Sequence, residues 1–363
     1  MPATPLYQKV LETLSAEVAA GRFRPGQKFP SEAALVRRFG ASRITVGRAV
    51  RELQQRGLVD RIAGSGTFVR GAGKAASESL LFGLIIPDLG ETEIFEPICQ
   101  GIANAPEAAD CGLLWPHAPA LTSSREEQAL QLCAQCIGRH VAGVFFAPVE
   151  LMPGAEGTNR RVLKLLDEAG IPVVLLDRRP EENARRRRHD LVGIDNRRAG
   201  FLATEHLIGL GAQRIGFLMY EGQAHTAKIR DAGYRDALTA ETGRAPRTFQ
   251  LRPDEPLRLP PAAADCDAFV CANDRIAGLL MHALLAMNLR IPRDVRIVGI
   301  DDVNYASLLP VPLTTIRQPC REIGEIALRV LLERTRQPNL PARDTLLDCG
   351  LVVRESCGGS RSL

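Results

Sequence analysis

Residues 29–69, FPSEAALVRRFGASRITVGRAVRELQQRGLVDRIAGSGTFV, constrain this chain most, because capping, periodicity and turn signals follow one another there in a fixed order. Pro30-Ser31-Glu32 opens a helix whose Ala34, Leu35, Val36 and Phe39 are apolar, and Gly40 stops it. Ser42 then stands as an N-cap, since its hydroxyl can accept a bond from an orphan amide of the next helix's first turn. Val46, Ala49, Val50 and Leu53 recur at i, i+3, i+4 and i+7, one apolar stripe on that helix. At about 100° per residue, Ile44, Arg48 and Arg51 point away from the stripe, with Arg43 on the exposed first turn. Two β-rich runs, 58–62 and 67–69, flank Ala63-Gly64-Ser65-Gly66 and predict a glycine-tipped hairpin.

Helix, short turn and N-capped basic helix make a helix-turn-helix, which inserts the N-terminal end of its second helix into the major groove of DNA. Charge agrees with that. Residues 1–70 hold 12 Lys and Arg against 5 Asp and Glu, and the remainder 34 against 37. Positive charge gathered in one small module suits the neutralisation of phosphates. A generic helical bundle with surface arginines would show any one of these signals, but not the ordered set.

At 363 residues the chain is long enough for two or three domains, and its 45% hydrophobic and 24% charged content is that of a globular protein. No apolar run reaches the ~20 residues that cross a bilayer, and no secretory signal pattern opens the chain, so the expected compartment is the cytoplasm. Nine cysteines, an odd number scattered through apolar elements, read as reduced packing residues. Cys133 and Cys136 form a C-x-x-C inside a helical stretch, with no second pair at zinc spacing, so no metal is expected.

Small and polar residues at 71–79 read as a linker. Beyond it, apolar β-type runs at 81–86, 112–115, 143–147, 173–176, 191–194, 215–219, 268–272, 295–300 and 314–316 alternate with amphipathic helical stretches. That alternation predicts parallel sheets covered on both faces, in two halves of about five strands, with a ligand cleft at the strands' C-terminal ends. Asp88, Asp177-Arg178, Asp195-Asn196, Asn273-Asp274 and Asp301-Asp302 follow such strands, and Arg230 is expected to open a helix after another. Carboxylates, amides and guanidinium groups each bond two neighbouring hydroxyls at once, whereas no nucleophile–base pair accompanies them. Asp195, Asn196 and Asp302 could equally cap the helices that follow. Trp115 and His117 are further candidates for the cleft, with core or surface as the plainer reading, and Arg185 to Arg188 read as a solvated loop.

The N-terminal sequence closely resembles the winged-helix domain of the GntR family of bacterial regulators, over about residues 5–70. The motifs that carry the likeness are G-x-x-x-P-G-x-x-x-P-S-E, S-R-x-T-V, G-L-V and G-x-G-T-F-V. The resemblance implies DNA contacts by Arg43, Ser42 and Thr45, and a minor-groove approach by Gly66. Ser31, Ile44 and Arg48 complete the expected DNA-facing set. Ala33 and Gly47 depart from the arginines common in the family. From about Leu81 onward, segments such as IPVVLLDRRP, RDAGYRDAL, FVCANDR and GIDD are similar to the effector domain of LacI-family regulators, itself like periplasmic sugar-binding proteins. That likeness implies ligand contacts by Arg230, Asp301, Asn273 and Asp177, with Asp88 and Phe95 on the first strand's loop. Residues 250–267 are short and Pro-rich where the family has a longer helical segment.

The expectation is therefore an α/β protein: an N-terminal winged helix-turn-helix (1–71), a linker (72–79) and a two-lobed periplasmic-binding-protein-like domain (80–363). Its lobes are expected at 80–177 with 308–320, and at 178–307 with 321–363. Expected partners are double-stranded operator DNA, a small-molecule effector of the sugar class and a second copy of the chain, with no membrane and no cofactor. A transcription repressor controlled by a small ligand fits this set. The rival is an enzyme acting on a sugar or nucleotide with a regulatory DNA-binding head. Against it, Asp88-Leu89-Gly90 stands where a dinucleotide fold needs G-x-G-x-x-G, and neither G-x-S-x-G nor H-E-x-x-H occurs.

Overall fold

Three helices and a hairpin form around the apolar stripe of the N-terminal sequence: α1 (Leu6–Ala19), α2 (Glu32–Phe39), α3 (Arg43–Gln55), β1 (Val59–Ile62) and β2 (Gly66–Val69). In the computed structural model the described residues are 6–23, 26–55, 58–62, 66–69, 80–87, 89, 93–115, 124–151, 154–180, 188–222, 225–253 and 255–359. The chain divides into two compact units, Met1–Ser79 and Leu80–Leu363, and the linker expected at 72–79 lies outside the described residues.

In the first unit Val46, Ala49, Val50 and Leu53 of α3 are buried against Val10, Leu11 and Leu14 of α1, with Leu35 of α2. Each fully buried Val or Leu contributes about 1.5–3 kcal/mol, so these positions hold the helices in place. Ser31 caps α2 through Ala34 N–H (3.3 Å), and Gly40 ends it in the left-handed region. Ser42 Oγ accepts Thr45 N–H (3.2 Å), as an N-cap should. The antiparallel β1–β2 pair runs from Val59 opposite Val69 to Ile62 opposite Gly66. Gly66 has φ +118°, which side chains other than hydrogen rarely tolerate. The backbone of 26–29 lies along β2's other edge, with Phe29 N–H bonded to Thr67 O at 2.7 Å.

The second unit holds two six-stranded sheets. Its elements in order are β3 (Leu80–Ile85), α4 (Phe95–Asn104), β4 (Cys111–Leu114), α5 (Arg125–Gly138), β5 (Gly143–Phe146), α6 (Ala155–Glu168), β6 (Val173–Leu176) and β7 (Asp190–Ile194). Then come α7 (Asn196–Gly209), β8 (Ile215–Tyr220), α8 (His225–Thr242), β9 (Arg247–Leu251), β10 (Ala268–Cys271), α9 (Asp274–Ala286) and β11 (Arg296–Asp301). β12 (Thr314–Arg317), α10 (Cys320–Arg336), β13 (Asp344–Leu347) and β14 (Gly350–Val352) complete it. The sheet orders are β13-β7-β6-β5-β3-β4 and β14-β12-β11-β10-β8-β9. Both repeat one doubly wound topology, and in such sheets ligands bind beyond the strands' carboxyl ends near the reversal of strand order.

Each half carries one close helix crossing. A Cβ on Gly200 of α7 would lie 1.9 Å from the Arg230 carbonyl oxygen, and one on Gly233 of α8 1.8 Å from that of Arg197. Likewise α4 and α10 cross at Gly101 and Gly324, where an added Cβ would strike Arg321 O and Ile98 O.

The lobe boundaries differ from those expected. β7 (Asp190–Ile194) joins the first sheet beside β6, so the first crossover follows Ile194 rather than Asp177. β12 lies in the second sheet, α10 packs on the first, and β13 and β14 are shared one to each sheet. Three crossovers join the lobes, the number expected, but each falls at a different place in the chain. The strands β9, β13 and β14 went unread because they are outer strands, mostly half-buried, without the continuous apolar run of an interior parallel strand.

Candidate functional sites

On the N-terminal unit, burial of one face of α3 fixes what the opposite face presents. The Arg43 side chain is 82% exposed and Ile44 81% exposed, and Ser42 and Arg48 are exposed beside them. Ser42 and Thr45 hydroxyls lie 2.8 Å apart, so the same pair that caps the helix forms a polar corner on its first turn. Glu32 stands 4.0 Å from Arg43 and 3.7 Å from Arg61, distances at which exposed pairs hold little energy. The Arg48 guanidinium is 4.0 Å from the centre of the Tyr7 ring, an attraction worth about 0.5–1 kcal/mol at an exposed site. Ser31 serves α2 as its cap, and Gly66 starts the wing's second strand. Thus Ser42, Arg43, Ile44, Thr45 and Arg48 share one face or end of α3, while Ser31 and Gly66 belong to neighbouring elements.

In the second unit the strand ends converge on two clusters. Arg178, just past β6, has a side chain 5% exposed. It pairs with Glu150, bonds Asp177 Oδ2 through Nε (3.0 Å) and lies 5.4 Å from the centre of the buried Phe95 ring. Burial alone would lower its pKa, but the charges of Glu150 and Asp177 outweigh that and raise it. The Glu150 loop is itself held by Asn159, whose side chain bonds both the N–H and the C=O of Val149 at 2.8 and 2.9 Å. Asp177 Oδ1 is buried without a hydrogen-bond partner.

Across the crossover, Arg230 is 5% exposed in the second turn of α8, which begins at His225 rather than at Arg230. Its Nε donates to Asn196 Oδ1 (2.7 Å), and Nη1 donates to Ala272 O (2.6 Å) and lies 3.4 Å from Asp301 Oδ1. Gln318 Nε2 donates to the same Asp301 oxygen at 2.7 Å, while Gln318 Oε1 is buried and unpartnered. Burial pushes the Asp301 carboxyl up to about 7; Arg230 opposes the rise, and the nearby charges of Asp274 and Asp177 reinforce it. Asp274 is wholly buried and bonded to Thr315 and Val303 N–H, and it is pushed up to about 6, chiefly by burial. Among the described non-glycine residues six adopt positive φ, and three of these, Asp177 (φ 67°), Asp301 (135°) and Asp302 (57°), stand at these strand ends, the others being His140, Leu151 and Asn288. Such conformations cost about 1–3 kcal/mol each and gather at ligand sites.

Two cavities lie between the lobes. One, of about 320 Å³, is bounded by Glu93 and Pro97 on one side and by Asp301, Asp302 and Gln318 on the other. The other, about 200 Å³, lies between Glu150, Asn159 and Arg178 and the start of α8 at His225 and Lys228.

The structure thus brings Arg230 and Asp301 together, and joins Asp177 to Phe95 through Arg178. Asn273 Oδ1 accepts Ile276 N–H at 2.9 Å, the capping role that any Asn after a strand can take. Asp195 caps α7, and Asp302 pairs with Arg317 and Arg354. Asp88, His117 and Arg185 to Arg187 lie outside the described residues, and Trp115 is 51% exposed at the end of edge strand β4. Glu150 and Gln318 were missed from sequence. The signal for Gln318 was its place directly after β12, in the same strand-end position as the chosen residues.

Comparison with known proteins matches both units. Residues 6–69 match the family model of bacterial regulatory proteins, gntR family, and residues 204–357 the periplasmic binding protein-like domain. The arabinose metabolism transcriptional repressor of Geobacillus stearothermophilus is 28% identical over 373 residues, covering 97% of each chain. The ribose operon repressor of Escherichia coli K12 is 31% identical over 201 residues, 51% of this chain and 58% of that one. Among solved structures, a complex of the transcriptional regulator CelR with cellobiose superposes with TM-score 0.63 at 23% identity, covering 98% of this chain and all of that one. A LacI family regulator from Enterococcus faecium with bound ribose superposes with TM-score 0.60 at 22% identity, over 76% of this chain and 98% of that one. Among the described residues no helix is long and apolar enough to cross a membrane. The chain is a transcription regulator that joins a gntR-family winged-helix domain to a periplasmic binding protein-like domain.

Proposed function

We propose that this regulator represses transcription by holding an operator duplex through the first turn of α3 and the wing, and releases it when a sugar occupies the interlobe cleft. One observation carries the effector half: two buried acceptors are left without partners, Asp177 Oδ1 beside Arg178 and Gln318 Oε1, whose amide bonds Asp301, the partner of Arg230. An unmet buried acceptor costs about 1–3 kcal/mol, and a vicinal diol supplies the missing donors while accepting from Arg230. Phe95, Asp88, Asp177, Arg230, Asn273 and Asp301 are the effector contacts in this reading, with Gln318 added. Arg43, Ser42, Thr45, Ile44 and Arg48 meet the major groove, Ser31 a phosphate and Gly66 the minor groove. The likeness to a named arabinose repressor across both units supports an effector of the sugar class. Two copies would set two recognition helices on half-sites. The sugar is bound and released unchanged, so this reading assigns no catalysis.

A ligand shifts DNA affinity only by binding one lobe arrangement better than the other, typically by about 1–3 kcal/mol. The test uses a duplex enriched from a randomised pool and a panel of pentoses and hexoses, with the sugar assayed for conversion. Arg43→Ala should weaken duplex binding by about 1–3 kcal/mol and keep sugar-dependent thermal stabilisation, and Arg230→Ala should keep duplex binding and lose the sugar response. Conversion of the sugar, or an unaltered sugar response in Arg230→Ala, sinks the proposal.

A further inference from the structure

The amide of Asn196 occupies an unusual place. It is the first residue of α7, immediately after the chain leaves β7 of the first sheet and enters the second lobe. The residue is 6% exposed, and its two polar atoms face different lobes. Nδ2 donates to Ile194 O (3.3 Å), the last residue of β7, while Oδ1 accepts Arg230 Nε at 2.7 Å. Capping α7 falls to the neighbouring Asp195, which accepts Arg197 and Arg198 N–H at 3.0 Å each. Asn196 is therefore free of the helix-end duty that its position suggests.

The main chain repeats the connection. Gly200, one turn into α7, lets that helix press on the Arg230 carbonyl, and Gly233 lets α8 press on Arg197 in return. Both the backbone and the guanidinium of Arg230 are thus registered to the helix that emerges from the first crossover. The other guanidinium nitrogen, Nη1, is fixed within the second lobe by Ala272 O and Asp301.

We propose that Asn196 is a positioning residue for effector binding: seated at the strand end where the two lobes join, it holds the guanidinium of Arg230 through Oδ1. Movement of the lobes about this crossover shifts Asn196, and with it the guanidinium. Engagement of a sugar by Arg230 consequently favours one lobe arrangement. The inference rests on the reading that Arg230 grips the effector.

The experiment compares full-length wild type, Asn196→Ala and Asn196→Asp. Calorimetric titration with L-arabinose and D-ribose gives affinity. Hydrogen exchange at the Arg230 Nε–H, assigned by the signal's absence from Arg230→Lys, reports the guanidinium without any ligand. Asn196→Ala should weaken the bound sugar about tenfold or more, because a buried charged donor loses its acceptor, and should speed Nε–H exchange. Asn196→Asp keeps an acceptor for Nε and should restore affinity to within about threefold, with slow exchange. Unchanged affinity in Asn196→Ala, or equal loss in both variants, overturns the inference. Should Asn196→Ala fail to fold, Asn196→Asp decides alone: slow exchange with retained affinity supports the role, and fast exchange or a tenfold loss refutes it. If wild type binds neither sugar, the effector reading of Arg230 loses its support, while Nε–H exchange still decides whether Asn196 holds the guanidinium.

Discussion

Arg43 and Arg178 place the same guanidinium in opposite surroundings. The side chain of Arg43 is 82% exposed, with its nearest carboxylate 4.0 Å away, whereas that of Arg178 is 5% exposed between Glu150 and Asp177. An exposed cation costs the fold almost nothing and stays available to a polyanion. A buried one must be matched by carboxylates on the spot, and its position is then fixed by them. In the first unit Arg43 therefore stays available to a partner, while Arg22 and Arg38 are engaged by Glu17 and Arg48 lies over Tyr7. The second uses Arg178 and Arg230 to shape an interior, where orientation matters more than reach.

The sharpest way to break that contrast is Arg178→Met. Removing one partner of a buried ion pair costs about 3–5 kcal/mol, so urea denaturation should show the Leu80–Leu363 unit weakened by that amount. A loss below about 1 kcal/mol, the ceiling for surface pairs, would mean that Glu150 and Asp177 behave as surface charges. Next in size is Arg43→Ala, which should cost about 1–3 kcal/mol of duplex affinity while changing folding stability by less than about 0.5 kcal/mol. Relaxed sequence preference would mark a base contact, and a salt slope reduced by about 1 a phosphate contact.

The subtlest effect is on pH. The folded protein holds the Asp301 proton more tightly than the unfolded chain does, the pKa rising from 3.8 to about 7. Between those values the native state binds more protons, so this group's contribution to stability falls as pH rises through that window. Asp301→Asn cannot titrate, and its melting curve should vary less with pH there than that of wild type. Parallel pH profiles would show that Asp301 is ionised in the native cleft at neutral pH.

What could be read from sequence was whatever local chemistry decides. The stripe Val46, Ala49, Val50 and Leu53 is buried as periodicity requires, because α3 has one neighbour-facing side and a 3.6-residue repeat reports it directly. Interior strands such as Gly143–Phe146 were equally plain, since burial on both faces leaves an unbroken apolar run. The lobe boundaries were not, because crossing from one sheet to the other is a long-range choice. Nothing local at Ile194 or Arg317 records which sheet the strand joins. In the cleft, Arg230 and Asp301 were picked by resemblance and strand-end position, and they do meet. Asn273, chosen on the same grounds, has its oxygen committed to a helix cap. Glu150 gave no local sign and Gln318 only its place after a strand, since what matters about them is a partner far away in sequence, Arg178 or Asp301.

β13 and β14 are separated only by Asp348 and Cys349, yet one borders the first sheet and the other the second. During synthesis, β7 and β12 therefore remain open borders until residues 344–352 leave the ribosome. Unpaired borders of this kind recruit foreign strands. A premature stop between residues 318 and 343 would leave both β7 and β12 with an unpaired edge, the kind of border on which aggregation starts.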